Sequence, residues 1–211
     1  MSEPVWPSRM RGAFRVELRA EAIGFAGRGW PVVPGTRVDD SPPDDRAQQW
    51  ARPAPVRQYW SDQSSANPNR VAAMWAEHPY SLLVSTGTVV DALEVGANLG
   101  KRAASLLRQV SRPVPIIALP DRQWLFLTRV ADCLPAELAG RGDVSWHSVG
   151  SWIPLPPTPV TNGVVHWRVK PTAWQWRLPS HELVHNVLIR ALGNAEAAPV
   201  QDLGGTESSA A

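Results

Sequence analysis

Cysteine is almost missing: Cys133 is the only one in 211 residues. That excludes an intrachain disulfide and any Cys-rich zinc knuckle, and it fits a reducing compartment. Lysine is nearly missing too, present only at 101 and 170, so arginine carries almost all the positive charge. Arginine forks onto phosphate and stacks on rings better than lysine does, and a GC-rich coding bias favours the same residue. The net charge of +2 is too small to be a nucleic-acid footprint by itself. No apolar run approaches the length that spans a bilayer. The opening stretch MSEPVWPSRMRGAFRVELRA has arginines but no unbroken apolar core, so no secretory signal is expected and the expected location is the cytoplasm. G-x-S-x-G, the P-loop and G-x-G-x-x-G are all absent. Hydrolase, nucleotide-triphosphatase and Rossmann readings therefore have no foothold.

The chain is long enough for one domain with a proper core. Residues 1–12, with Pro4 and Pro7, read as a loose N-terminus, and residues 13–193 as the domain. Phe14, Leu18, Ala22 and Phe25 give residues 13–26 a helical face that Gly27 and Gly29 end. A short strand follows at Trp30-Pro31-Val32-Val33-Pro34-Gly35. Residues 36–56, rich in Pro and Asp, have little to bury and read as a surface loop. Asn67-Pro68 is a helix start, with Asn as cap and Pro at the first turn. Val71, Trp75 and His78 are expected on one face of that helix. Residues 81–86 and 89–95 read as strands about Gly87. Residues 97–110 read as a helix with Leu99, Ala103, Leu106 and Val110 inward. A hairpin is expected around Pro120-Asp121-Arg122, and further short strands near 151–153 and 164–169. The last helix spans about 181–192, capped by Ser180, and residues 194–211 read as a disordered tail. This order predicts an α+β fold, helices packed on a mostly antiparallel sheet.

Three patterns could carry chemistry. His181-Glu182-Leu183-Val184-His185 places two imidazoles one helical turn apart, the spacing of a zinc metallopeptidase. Pro179 puts the motif in a first turn, and little chain remains downstream for a third ligand. A packed helix edge explains the same pair. Asp91 and Glu94, at the end of an apolar strand, could hold Mg2+ or Mn2+. A D-x-x-E spacing, however, puts the two carboxylates on opposite faces of a regular strand. Eleven tryptophans interleaved with arginine suit either base stacking on a single strand or simple core filling.

Taken in order, several segments resemble the bifunctional DNA primase/polymerase N-terminal domain. These are Gly29-Trp30-Pro31-Val32-Val33-Pro34-Gly35, the 81–87 stretch into its T-G turn, Val90-Asp91-Ala92-Leu93-Glu94-Val95, Asp143-Val144-Ser145-Trp146-His147, and Gly150-Ser151-Trp152-Ile153-Pro154-Leu155-Pro156-Pro157-Thr158. The likeness covers roughly residues 13–192 and looks closest to a branch in high-GC Gram-positive bacteria. Members there often insert a Cys/His cluster after the first strand. This chain has the Pro/Asp loop instead, so no zinc is expected.

The resemblance implies a DNA replication domain with Mg2+- or Mn2+-dependent nucleotidyl transfer, and DNA or nucleotides as partners. It implies Asp91 and Glu94 as metal ligands and catalytic residues, with Asp143 as a third carboxylate. Trp124 stands where active members carry a nucleotide-contacting histidine, and Asp121 and Arg122 stand in for paired glycines. Arg122 and Trp124 are thus the expected nucleotide-binding positions. The altered spacing and the lost histidine imply an eroded catalytic site. The zinc peptidase with His181 and His185 as ligands is the competing expectation.

Overall fold

The computed structural model describes residues 8–37, 52–78, 80–161 and 163–196. Most of the expected 36–56 loop, the first seven residues and the tail from 197 lie outside the described residues. Helix α1 (Ser8–Ala26) starts five residues before the expected face. It leads into β1 (Val32–Gly35). Helix α2 (Pro68–Glu77) begins as its cap dictates: the Asn67 side chain accepts from the Asn69 and Arg70 amides. Val71 and Trp75 are buried on it. His78 is not on that face; it is the extended, exposed residue that ends the helix.

β2 (Ser81–Ser85) is buried throughout and pairs antiparallel with β1 and with β7 (Trp152–Pro154). These three strands form the first sheet. The second sheet has the order β10-β4-β5-β3-β6, from β3 (Asp91–Gly96), β4 (Ile116–Ala118), β5 (Gln123–Thr128), β6 (Val144–His147) and β10 (His166–Val169). All its pairs are antiparallel. β8 (Pro159–Val160) and β9 (Gly163–Val164) make a small separate hairpin. The fold is therefore α+β with antiparallel sheets.

The central strands of the second sheet, β3, β4 and β5, are buried on both faces. Ala92, Ile117, Leu125 and Leu127 join a core with α1, α2 and Val32, Val84 and Ile153 of the first sheet. Leu93, Val95, Ile116, Trp124 and Phe126 join a second core with α3 (Ala97–Gln109) and α5 (His181–Glu196). On α3 the fully buried stripe is Leu99, Ala103 and Leu107; Leu106 packs partly buried against the same core, and Val110 does not. The helix ends at Gln109, and Val110, just past it, is 52 % exposed. On α5 the buried stripe holds Val184, Leu188 and Leu192 as the spacing predicts. A one-turn α4 (Ala136–Ala139) buries Leu138 against this second core. No helix among the described residues is long and apolar enough to cross a membrane.

Candidate functional site

β3 carries both acidic residues, Asp91 at its start and Glu94 three positions on. Three steps along a pleated strand reverse the side-chain direction unless a bulge intervenes. None does: β3 runs in unbroken register with β5 from Asp91↔Thr128 to Gly96↔Gln123. Asp91 thus shares the face of Leu93 and Val95, and Glu94 the face of Ala92.

Asp91 is 0 % exposed. Its Oδ1 accepts the Gly87 N–H at 3.0 Å, and its Oδ2 accepts the Ala131 N–H at 3.0 Å and Trp146 Nε1 at 3.2 Å. Each oxygen is engaged by donors of the protein itself, which is how a buried carboxylate is made tolerable. The residue ties together the turn before β3, the loop after β5, and β6.

Glu94 stands in different company. Arg52 forks onto it, Nη1 to Oε2 at 2.8 Å and Nη2 to Oε1 at 2.6 Å. The other edge of the same guanidinium meets Asp121 Oδ2, from Nε at 2.9 Å and Nη2 at 2.6 Å. His147 Nε2 lies 2.9 Å from Glu94 Oε2, and its Nδ1 lies 3.1 Å from Ser151 Oγ. Burial opposes ionisation of Glu94. The hydrogen bonds from His147 and Arg52, and the charge of Arg52, outweigh it and hold the pKa at about 2. For Arg52, burial works against the charged form, but the two carboxylates raise its pKa further above the usual arginine range.

Several elements position these groups. His147 ends β6 and is the diagonal neighbour of Glu94, through the pairs Ala92↔His147 and Glu94↔Ser145. Asp121 sits in the β4–β5 turn, where its Oδ1 accepts the Gln123 N–H at 3.2 Å. The turn after β6 is clamped by the Thr86-Gly87 pair. Thr86 Oγ1 donates to the Ser148 carbonyl at 2.5 Å, and Thr86 N–H to the Ser151 carbonyl at 3.0 Å. Gly87 has φ +89°, and a Cβ there would fall 2.3 Å from Val149 Cα, so only glycine fits. Arg52 stands next to a segment that runs along β1, through Thr36 N–H to the Ala54 carbonyl and Val56 N–H to the Pro34 carbonyl.

The other expected residues do not converge on this cluster. Asp143 lies beside the Val95 end of β3, opposite to the Asp91 end. It is exposed and held by Arg141, Nε to Oδ1 at 2.9 Å, which keeps its carboxyl below the usual range. Trp124 pairs with Val95 and so faces α3, not Glu94. A Cβ on Gly100 would sit 2.8 Å from its ring, and Arg168 Cζ lies 4.9 Å from the ring centroid. Arg122 is exposed, with φ +66°, and its carbonyl accepts the Ala97 N–H at the start of α3. His181 and His185 lie with ring centroids 5.4 Å apart. His185 is 4 % exposed with Nε2 unpartnered, and burial together with His181 pushes its pKa below the ordinary value. No group of three or more His, Cys, Asp or Glu side chains suited to a metal occurs among the described residues.

Arg52, Asp121 and His147 are the residues that sequence reasoning missed as site members. Arg52 is 42 positions from Glu94 and 69 from Asp121, and no periodicity links them. A usable signal existed for His147 alone, as the imidazole in the Asp143–His147 motif segment.

Comparison with known proteins gives one family. The model of the bifunctional DNA primase/polymerase, N-terminal, matches residues 22–183. Among curated proteins, none matches the chain.

Proposed function

The chain belongs to the bifunctional DNA primase/polymerase N-terminal family, and from that premise we propose a domain with eroded catalytic motifs that binds single-stranded nucleic acid or nucleotide without turning nucleotides over. The family is generally metal-dependent. Metal-assisted phosphoryl transfer needs carboxylates converging on shared cations that clamp the phosphates. Asp91 and Glu94 as placed do not fit a shared Mg2+ or Mn2+. They face opposite sides of β3, Asp91 with its oxygens taken by three N–H donors and Glu94 in the fork of Arg52. That divergence is the observation that carries the reading. Asp143, at the far end of β3 with Arg141, supplies no replacement.

Support for binding comes from the surface beside His147 and Ser151. Trp152 follows Ser151 in the chain and meets Trp60 edge-on, with centroids 5.5 Å apart. Tyr59, next to Trp60, is 76 % exposed. Such rings stack on bases of any sequence. The zinc-peptidase reading gains no support, since the two histidines have no third ligand among the described residues.

The test is fluorescence anisotropy of a labelled single strand, without added metal, across a salt series. Binding is expected to weaken as salt rises. Tyr59→Ala should weaken it by roughly 5- to 150-fold, the worth of one stacked base, while Glu94→Gln leaves it in place. Binding that needs a divalent ion, or that ignores both salt and Tyr59, would sink the proposal.

A further inference from the structure

The family's dependence on metal and the donor set around Glu94 disagree, and the disagreement centres on Arg52. One nitrogen, Nη2, sits 2.6 Å from a carboxylate oxygen of Glu94 and 2.6 Å from one of Asp121. The remaining donors of the guanidinium complete the fork on each side. Both acidic side chains are mostly out of water, 12 % and 16 % exposed. Two carboxylates sharing a partly dry space repel strongly unless a cation lies between them. His147 completes the ring around Glu94 with an imidazole nitrogen at 2.9 Å. With Arg52 in place these residues form no metal site, because the guanidinium takes the carboxylate oxygens; freed of it, carboxylate oxygens with one imidazole are a donor set that Mn2+ accepts.

We propose that Arg52 is a built-in cation, standing at the Glu94–Asp121–His147 cluster where a divalent ion would otherwise be required, and latching the segment that follows it across the site. The three cluster residues come from β3, the β4–β5 turn and β6, and Arg52 from beside the segment that runs along β1. The guanidinium therefore joins parts of the fold that a bound ion would otherwise join. An ordinary ion pair predicts only a loss of stability when Arg52 is removed. A substituted cation predicts that an added ion restores what was lost. The inference rests on the reading that no metal binds at Asp91 and Glu94, but not on nucleic-acid binding. Loss of single-strand affinity with the cation results intact would strike only the binding proposal.

The experiment compares wild type, Glu94→Gln, Arg52→Gln, Arg52→Lys and the double variant Arg52→Gln/Glu94→Gln. Each is followed by thermal unfolding with and without MnCl2, and by electron paramagnetic resonance of free Mn2+. Wild type should show no shift in Tm and only weak Mn2+ binding that Glu94→Gln leaves unchanged. Arg52→Gln should melt lower, bind one Mn2+ at least 10-fold more tightly than wild type, and recover Tm as Mn2+ saturates. The double variant should lose that binding, and Arg52→Lys should stay insensitive to Mn2+. If Arg52→Gln does not fold alone, refolding is attempted with Mn2+ present. The proposal is overturned if Mn2+ neither binds nor restores folding. It is equally overturned if wild type binds Mn2+ in a manner lost in Glu94→Gln.

Discussion

Acidification should dismantle the Glu94 cluster in a calculable way. The folded-state pKa of Glu94 is about 2, against 4.5 for the free group. A depressed carboxylate pKa stabilises the fold fully above the unfolded value, and that stability fades as pH falls from about 4.5 through about 2. The shift corresponds to roughly 3 kcal/mol, from a side chain 12 % exposed and therefore little screened. By pH 3, about 2 kcal/mol of it is gone by the same linkage. Urea unfolding of wild type and Glu94→Gln at pH 7 and pH 3 reads the change, since carboxylates away from the cluster cancel in the difference. Glu94→Gln should be less stable by roughly 3 kcal/mol at pH 7, with the gap closing to about 1 kcal/mol at pH 3. A gap that stays constant across that range would refute the assignment of Glu94 as the ionised centre of the cluster.

Further outcomes follow from neighbouring residues. Asp91→Asn places an amide NH2 among three N–H donors; denaturant melts should show a loss of about 2–4 kcal/mol at neutral pH. Gly87→Ala drives a Cβ into the Val149 backbone at φ +89°, and calorimetry should show a loss of at least ~2 kcal/mol. Trp124→Ala empties core between β5 and α3; it should cost about 3–5 kcal/mol and leave single-strand affinity unchanged in the protein that remains folded. His185→Leu removes a buried nitrogen without a partner, so Tm should hold or rise, whereas a zinc ligand at this position would make it fall.

Local chemistry made much of the fold readable. Asn67 followed by Pro68 announced α2 because a capping oxygen and a preset φ act within one turn. The wholly apolar interior of β2 announced a buried strand. The hairpin around Asp121 and Arg122 was readable because a turn is chosen by its own residues. Even the opposed faces of Asp91 and Glu94 follow from strand alternation alone. Errors came where a boundary depended on packing: α3 turned its stripe to Leu107, and His78 left the face of α2. β6 went unread because its four residues alternate weakly and are fixed by pairing with β3. The Glu94 cluster depends on contacts between distant segments, and Arg52 lay in a stretch whose composition pointed only to a loop. The apolar pattern of residues 89–95 located β3, which runs Asp91–Gly96, and the structure shows what surrounds it.

Whether the Glu94 face still turns nucleotides over is read by template-directed nucleotide incorporation onto a labelled primer, run with Mg2+ and with Mn2+ on wild type and Glu94→Gln. Neither protein should extend the primer above background with either metal, while single-strand binding persists. Extension by wild type that disappears in Glu94→Gln would contradict an eroded catalytic site.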